Sequence, residues 1–394
     1  MASAAGVAGT AARQSWDVDD LIADPAIGIV VCCGSGGVGK TTTAAALGIR
    51  AAEAGRKVVV LTIDPARRLA QSLGLTALDN TPRPVAGIDT SAGGSLAAMM
   101  LDMKRTFDEV VEAHAAPDKA AQILANPFYQ AVSSSFAGTQ EYMAMEKLGQ
   151  LRSQAEREGS WDLIVVDTPP SRSALDFLDA PKRLGSFLDG RFIRLLAAPA
   201  KAGGRAYVKV FAFSANLAAT TLSKVLGGAF LSDVQTFVAA LDTMFGGFRE
   251  RADVTYALLK EPATAFVVVA APERDALREA AYFVDRLAQE RMPLAGLIVN
   301  RMKVLQAPTL SGARASAAAE QLEDGVAGAG REAATSEALL RLHAEEAATA
   351  ARQQGHVHRF VAAHPSVPVA TVPASATDIH DLDGLRTVGA ALAR

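Results

Sequence analysis

A phosphate-binding chemistry is predicted by the stretch Gly34 to Thr42, Gly-Ser-Gly-Gly-Val-Gly-Lys-Thr-Thr. It fits the spacing G-x-x-x-x-G-K-[ST] of the phosphate-binding loop (P-loop), in which glycines let backbone N–H groups turn around an anion. Lys40 is expected to reach the β- and γ-phosphates of a nucleotide, and the Thr41 hydroxyl to bind Mg²⁺. The candidate cofactor-binding residues of this loop are Gly34, Gly36, Gly37, Val38, Gly39, Lys40, Thr41 and Thr42.

The elements that flank the P-loop come in the order that the motif needs. Ile27–Cys33 is apolar and predicts a buried parallel strand, and Thr42–Ala54 predicts an alanine-rich helix. The N-terminus of that helix would point its positive end at the bound phosphates. A chance glycine-rich turn is the alternative, but it would not explain this succession of strand, loop and helix.

Two acidic residues follow apolar stretches that predict further buried strands. Asp64 comes directly after Lys57–Ile63, and Asp167 ends the stretch that begins at Trp161. An apolar strand that delivers an aspartate beside a P-loop is the Walker B arrangement, in which the acid helps to hold hydrated Mg²⁺. We therefore predict that Thr41, Asp64 and Asp167 hold Mg²⁺, partly through water.

The alternation of buried strands with helices predicts an α/β fold, a doubly wound and mostly parallel sheet. Because ligands bind beyond the carboxyl ends of such strands, Asp64, Asp167 and Asn300 are expected on the same edge as the P-loop. The further predicted strands are Leu96–Leu101, Ala265–Ala271, Leu294–Asn300 and Val367–Val372.

The chain is expected to divide into a P-loop NTPase core and an inserted helical subdomain. Long stretches between the predicted strands have little strand character and are assigned to the helical insertions. The predicted divisions are a tail at 1–14; the core at 15–102, 159–175 and 261–394; helical insertions at 103–158 and 176–260; and a mobile segment at about 306–333, which has few large apolar residues.

Composition and charge limit the classes of protein to which the chain could belong. Of the 394 residues half are hydrophobic, so the chain can bury a large core. The net charge of −3 gives no support for a nucleic-acid partner. We find no apolar leader at the start of the sequence and no clear transmembrane stretch, so a soluble, cytoplasmic protein is expected.

Cysteine and histidine usage offers little support for a transition-metal site. The two cysteines, Cys32 and Cys33, are adjacent on the first predicted strand and are expected to be small buried residues on opposite faces. His356, His358 and His364 could suggest a metal site, but a solvated helix end is the favoured interpretation. Along the predicted helix from Asp102 to His114, His114 is more typical of a boundary residue than of a ligand.

Taken as a set, these motifs resemble the arsenite-pump (ArsA-type) anion-transporting ATPases and their relatives that target tail-anchored membrane proteins. Gly34–Thr42 is similar to the family's deviant Walker A loop. Thr62–Ala66 resembles switch I and Asp167–Ser171 resembles switch II, the two loops that sense the nucleotide. Weaker similarities are carried by Gly138–Glu141 and Ala271–Glu273.

The resemblance implies roles for individual residues. It implies that the bound nucleotide is ATP and that Asp64 orients the attacking water. Asp64 and Lys40 are therefore the candidate catalytic residues. Asn300 and the loop Thr371–Pro373 match the positions that cradle adenine in the family, which adds Asn300 and Pro373 to the candidate cofactor-binding residues.

The sequence also departs from the family that it resembles. Ser35 stands where the deviant loop carries a lysine that reaches across a dimer to the partner's phosphates. There is no Cys-x-x-Cys pair for the zinc of the targeting dimers, and no cysteine in the helical region for an As(III) thiolate site. The pump joins two ATPase halves in one chain, whereas this chain has one P-loop, so a working pair is expected to require a homodimer or a heterodimer with a related ATPase.

The leading hypothesis is an ATP-binding, Mg²⁺-dependent ATPase that acts as a dimeric nucleotide-driven switch. A rival is a weakly or non-hydrolysing ATP-dependent scaffold that works with a paralogous partner. A partition or septum-positioning ATPase is a third alternative, disfavoured because such chains are shorter and lack two large helical insertions.

Two features of the helical regions suggest a hydrophobic client or an anionic membrane surface as partner, which would make the protein peripheral to a membrane. One is the stretch 191–232, where basic residues are interleaved with aromatic ones and no acid occurs. The other is a methionine-rich region, since methionine suits surfaces that accept varied apolar partners. Ordinary packing of both is the alternative. The methionines are Met99, Met100, Met103, Met143 and Met145.

Overall fold

The fold is built around one sheet that runs through the described part of the chain. The computed structural model describes residues 16–63, 68–127, 129–130, 133, 139–169, 250–325 and 331–393. Its strands are β1 Ile29–Gly34, β2 Lys57–Thr62, β3 Arg83–Pro84, β4 Ser95–Met100, β5 Leu163–Asp167, β6 Thr264–Ala270, β7 Leu294–Met302 and β8 Val369–Pro373. Its helices are α1 Val18–Ala23, α2 Lys40–Glu53, α3 Arg68–Ser72, α4 Met103–His114, α5 Pro117–Ala125, α6 Thr139–Glu158, α7 Arg274–Glu290, α8 Gly312–Gly325, α9 Arg331–Ala363 and α10 Leu382–Leu392.

The strands lie in the order β3-β4-β2-β5-β1-β6-β7-β8. All neighbouring pairs are parallel except β3 and β4. The prediction of a doubly wound, mostly parallel α/β sheet is therefore confirmed. The short edge strand β3 was not predicted, because two exposed residues that include a proline carry no apolar pattern.

Apolar side chains pack on both faces of the sheet. Along β1 the side chains alternate between two cores, with Val31 and Cys33 in one and Val30 and Cys32 in the other. Both cysteines are buried, as predicted, and burial raises the pKa of the Cys33 thiol to about 12. The thiols are thus protonated apolar groups of the core.

The region 103–158 supplies helices that cover one face of the sheet. Phe107, Val110 and Val111 of α4 are buried there, whereas His114 is exposed. An ion pair joins α6 to α4, with Nζ of Lys147 2.8 Å from Oε2 of Glu109.

Three of the five methionines that suggested a client surface are buried in the core. Met99, Met143 and Met145 are all buried in the same apolar cluster, and Met103 packs against it. The interpretation as a binding surface was wrong for these three buried residues, because their strand and helix positions face the sheet's own core. The stretch 191–232 lies outside the described residues.

The alanine-rich segment 306–333, predicted to be mobile, contains the helix α8. Ala315 and Ala319 of α8 are buried, and α8 packs against α9. Two helices rich in alanine can approach closely without large apolar side chains, and the mobility of this segment stays a prediction. The division into core and insertions stays a proposal.

None of the helices in the described ranges is long and apolar enough to cross a membrane.

Candidate active site

The P-loop spans the carboxyl end of the central strand. β1 ends at Gly34 and α2 begins at Lys40, so the predicted order of strand, loop and helix is present. β1 pairs with β5 on one side and with β6 on the other. The strand order reverses at this point, because β2 to β5 lie on one side of β1 and β6 to β8 lie on the other. Ligands of open α/β sheets bind at such a point.

Two glycines of the loop stand where no side chain would fit. A Cβ on Gly34 would lie 2.1 Å from the carbonyl oxygen of Val269 on the neighbouring strand. A Cβ on Gly39 would lie 2.2 Å from Nδ2 of Asn300, and Gly39 has a left-handed φ of 96°. Close packing against β6 and β7 therefore shapes the loop.

The start of α2 is arranged to receive an anion. Gly39 is its N-cap, and none of the described side chains caps this helix end. The first N–H groups of a helix lack intrahelical acceptors, and the helix dipole adds positive potential there. Thr42 lies in this first turn, half-buried, while Gly36 and Gly37 are exposed at the top of the loop. A phosphate group fits this arrangement.

Lys40 crosses the mouth of the loop. Its Nζ donates a hydrogen bond to the carbonyl oxygen of Ser35 at 2.8 Å, and the side chain is buried. An ammonium group has three N–H donors, so the lysine can keep this bond while it contacts an anion. Lys40 therefore lies where the motif predicts a phosphate-binding charge.

Asp167 lies beside the P-loop, as the sequence predicts. Its Oδ2 accepts hydrogen bonds from the hydroxyls of Thr41, at 2.7 Å, and Thr62, at 2.9 Å. The pairing of β5 with both β1 and β2 sets Asp167 opposite Cys32 and Thr62 in register. Asp167 is wholly buried, so these two hydroxyls stabilise a carboxylate that is cut off from water.

The oxygen atoms gathered here fit Mg²⁺. Thr41 and Asp167 present a hydroxyl and a carboxylate in mutual contact, and hard oxygen donors are the ligands that Mg²⁺ prefers. Asp64, the third predicted ligand, lies outside the described residues.

The end of β2 that leads to Asp64 is held from two sides. The N–H of Ile63 donates to the carbonyl oxygen of Asp167 at 3.0 Å. The carbonyl oxygen of Ile63 accepts a hydrogen bond from Nε2 of Gln140, in the first turn of α6, at 2.8 Å. Thr62 and Gln140 were not predicted to take part in the site, although both belong to segments that resemble the family.

The two predicted adenine-side residues lie on neighbouring strands at the same edge. Asn300, near the end of β7, donates from Nδ2 to the carbonyl oxygen of Val38 in the P-loop at 2.9 Å. Pro373 ends β8, where it is exposed and pairs with Met302. Asn300 therefore contacts the loop itself, which the sequence did not predict.

The predicted alternatives lie apart from this site. His356 contacts the guanidinium of Arg359, and the ring of His364 packs on Phe360 at 4.8 Å between centroids. Within the described ranges, no group of three or more His, Cys, Asp or Glu side chains is placed to hold a metal ion.

Comparisons with known proteins agree with these motifs. A family model described as "Anion-transporting ATPase" matches residues 27–323. A relative named "ATPase GET3" from Malassezia globosa is 29% identical over 155 residues, which cover 39% of this chain and 43% of that protein. An "Arsenical pump-driving ATPase" from Acidiphilium multivorum is 29% identical over 158 residues, 40% of this chain and 26% of that protein.

A third relative matches a longer part of the chain. The "Putative arsenical pump-driving ATPase" of Halobacterium salinarum is 30% identical over 229 residues, which cover 53% of this chain and 32% of that protein. In each of these three comparisons the match spans less than half of the relative's own length.

Proposed function

Because the chain belongs to the anion-transporting ATPase family, we propose that it binds Mg²⁺ and ATP at the P-loop and hydrolyses ATP as a nucleotide-driven switch. The observation that carries this proposal is the contact of Thr41 and Thr62 with the buried carboxylate of Asp167 at the mouth of the loop. This contact joins the P-loop to the ends of β2 and β5, the strands that lead into the two segments similar to switch I and switch II.

Each residue has a distinct role in the proposal. Lys40 and the backbone N–H groups of the P-loop bind the phosphates, and the Thr41 hydroxyl and Asp167 hold the cation. Bound Mg²⁺ would neutralise negative charge on the phosphate oxygens. Asp64 orients the attacking water. Catalysis is mainly positional and electrostatic, because phosphoryl transfer asks little covalent chemistry of the protein.

A chain of contacts supports the switch. Ile63 binds both the backbone of Asp167 and the side chain of Gln140 on α6. On the same helix, Glu146 forms an ion pair at 3.1 Å with Arg251, which belongs to the helical residues 250–258. A change at the cation site would therefore act on α6 and, through it, on the residues that precede β6.

Dimerisation and hydrolysis rate are linked in the proposal through Ser35. The chain has one P-loop, so a composite site would need a homodimer or a heterodimer with a related ATPase. Ser35 offers a hydroxyl, and not an ammonium, at the position that resembles the cross-dimer lysine. This observation favours a second candidate function, a weakly hydrolysing scaffold that needs a lysine-bearing partner. Single-turnover hydrolysis, with and without candidate partners, separates the two.

We further propose a hydrophobic client, or an anionic membrane surface, as the partner of the helical region. The support is the basic and aromatic composition of 191–232. The expected nucleotide dependence follows from the contacts that join Asp167 to α6.

The proposed site is tested by Lys40→Ala, with Lys119→Ala on the exposed surface of α5 as the matched control. Loss of a charged contact with the phosphates should weaken ATP binding by about 10- to 100-fold, measured by calorimetry with Mg²⁺ present. The control should bind as the wild type does. Equal affinity of Lys40→Ala and Lys119→Ala would refute the site.

A further inference from the structure

The side chain of Asn300 is held by two backbone groups. Nδ2 donates to the carbonyl oxygen of Val38 at 2.9 Å, and Oδ1 accepts from the N–H of Arg301 at 2.9 Å. A carbonyl oxygen can only accept and an N–H can only donate, so these partners determine which way the amide faces. The side chain is also buried, which keeps water from competing with either bond.

The backbone around Asn300 is shaped to make this arrangement. Arg301 has a left-handed φ of 64°, which is unfavourable for a residue with a Cβ. The pairing of β7 with β8 shifts in register between Val299 and Met302, at the same place. Strained backbone persists only where its surroundings over-determine it, and such positions cluster at functional sites.

The bond to Val38 acts on the part of the P-loop that must face a phosphate. In a trans peptide the C=O and N–H groups point in opposite directions. When Asn300 holds the carbonyl of Val38, the N–H of Gly39 must therefore point away from Asn300. Binding a phosphate requires the loop's N–H groups to turn inward and its carbonyls to turn outward.

We propose that Asn300 is a positioning residue that holds the P-loop in its phosphate-binding shape before a nucleotide arrives. This inference rests on the proposed function for its ligand, but the contact itself exists without one. An amide nitrogen has two hydrogens and an amide oxygen two lone pairs, so one of each stays available for a base. Asn300 can therefore hold the loop and contact adenine at the same time.

The test uses a ligand that has phosphates and no base. Asn300→Ala should lower the affinity for inorganic tripolyphosphate with Mg²⁺ by about five- to tenfold, the effect of one lost hydrogen bond on the loop. ATP affinity should fall by at least as much. Asn126→Ala is the matched control, because Asn126 and Asn300 are equally exposed, at 8%, and Asn126 bonds the N–H of Tyr129 at the end of α5.

A second measurement needs no ligand at all. The N–H of Thr43 donates to the carbonyl oxygen of Gly39 in the first turn of α2, at 2.9 Å. Its hydrogen exchange in the nucleotide-free protein should be about five- to tenfold faster in Asn300→Ala than in the wild type. If the alanine variant does not fold, Asn300→Ser takes its place. Serine is smaller than asparagine and polar, and this variant should also exchange faster than the wild type.

The outcomes are distinct. Unchanged tripolyphosphate affinity together with weakened ATP binding would mean that Asn300 affects nucleotide affinity only through the base, and would overturn the proposal. If the wild type bound neither ligand, the proposed function would fail, and exchange at Thr43 would still decide the role of Asn300. The proposal that Asn300 positions the P-loop would also be overturned if the Thr43 N–H exchanged no faster in the Asn300 variants than in Asn126→Ala.

Discussion

Thr62→Val tests whether a hydroxyl at the end of β2 stabilises the buried carboxylate of Asp167. The Thr62 hydroxyl donates to Oδ2 of Asp167 at 2.9 Å, and the two side chains are 1% and 0% exposed. A hydrogen bond to a charged group contributes about 1.5–3 kcal/mol to stability. Removing the donor should lower the free energy of unfolding by about 2–3 kcal/mol, because water cannot replace it.

The chain contains a matched control for this change. Thr264 is 0% exposed, and its hydroxyl also makes a 2.9 Å bond, but to the neutral carbonyl oxygen of Leu258. Thr264→Val removes the same atoms from an equally buried position at a cost of about 1 kcal/mol. The difference between the two variants therefore isolates the charge of the acceptor.

Urea unfolding of the nucleotide-free protein measures both variants. We expect Thr62→Val to shift the midpoint to lower urea by about two to three times as much as Thr264→Val, with unchanged m-values. Saturating Mg²⁺ and ATP should stabilise each protein by mass action. If Thr62→Val lost no more stability than Thr264→Val, the assignment of a charge-assisted bond to Asp167 would be refuted.

Further predictions concern catalysis, partner and core. Asp64→Asn should keep ATP binding but lower turnover by about 100-fold or more, within the range for a lost positioning group; an unchanged rate would remove Asp64 from the mechanism. Ser35→Lys should raise the slow hydrolysis expected of the isolated chain, and brisk wild-type turnover would contradict that reasoning. Binding to anionic liposomes should depend on the nucleotide, and Phe211→Asp with Phe213→Asp should weaken it while ATP affinity stays intact; no binding in any nucleotide state would rule out this surface. Both cysteines should resist a thiol reagent at pH 8 until the protein unfolds. Because burial raises the pKa of Cys33 to about 12, the unfolded chain releases this proton first, and stability should fall as pH rises from about 9 to 12.

Much of the sheet and the P-loop could be predicted because their signals are local. An apolar run bounded by turn residues marks a buried strand, and the P-loop spacing is contained in nine consecutive residues. In a parallel sheet every strand presents its carboxyl end to the same edge. The prediction that Asp167 and Asn300 end strands was therefore enough to expect them near the P-loop.

Only the tertiary structure decided which of these groups touch. Thr41 and Asp167 are 126 positions apart in the chain, and Val38 and Asn300 are 262 apart. Their contacts depend on strand order and register, with β5 inserted between β2 and β1, and no local pattern encodes that order. Burial of the methionines and packing of α8 on α9 likewise depend on what lies opposite each element. The sequence by itself determined the chemistry of the candidate site, whereas the pairing of distant strands determined which hydroxyl and which amide hold it in shape.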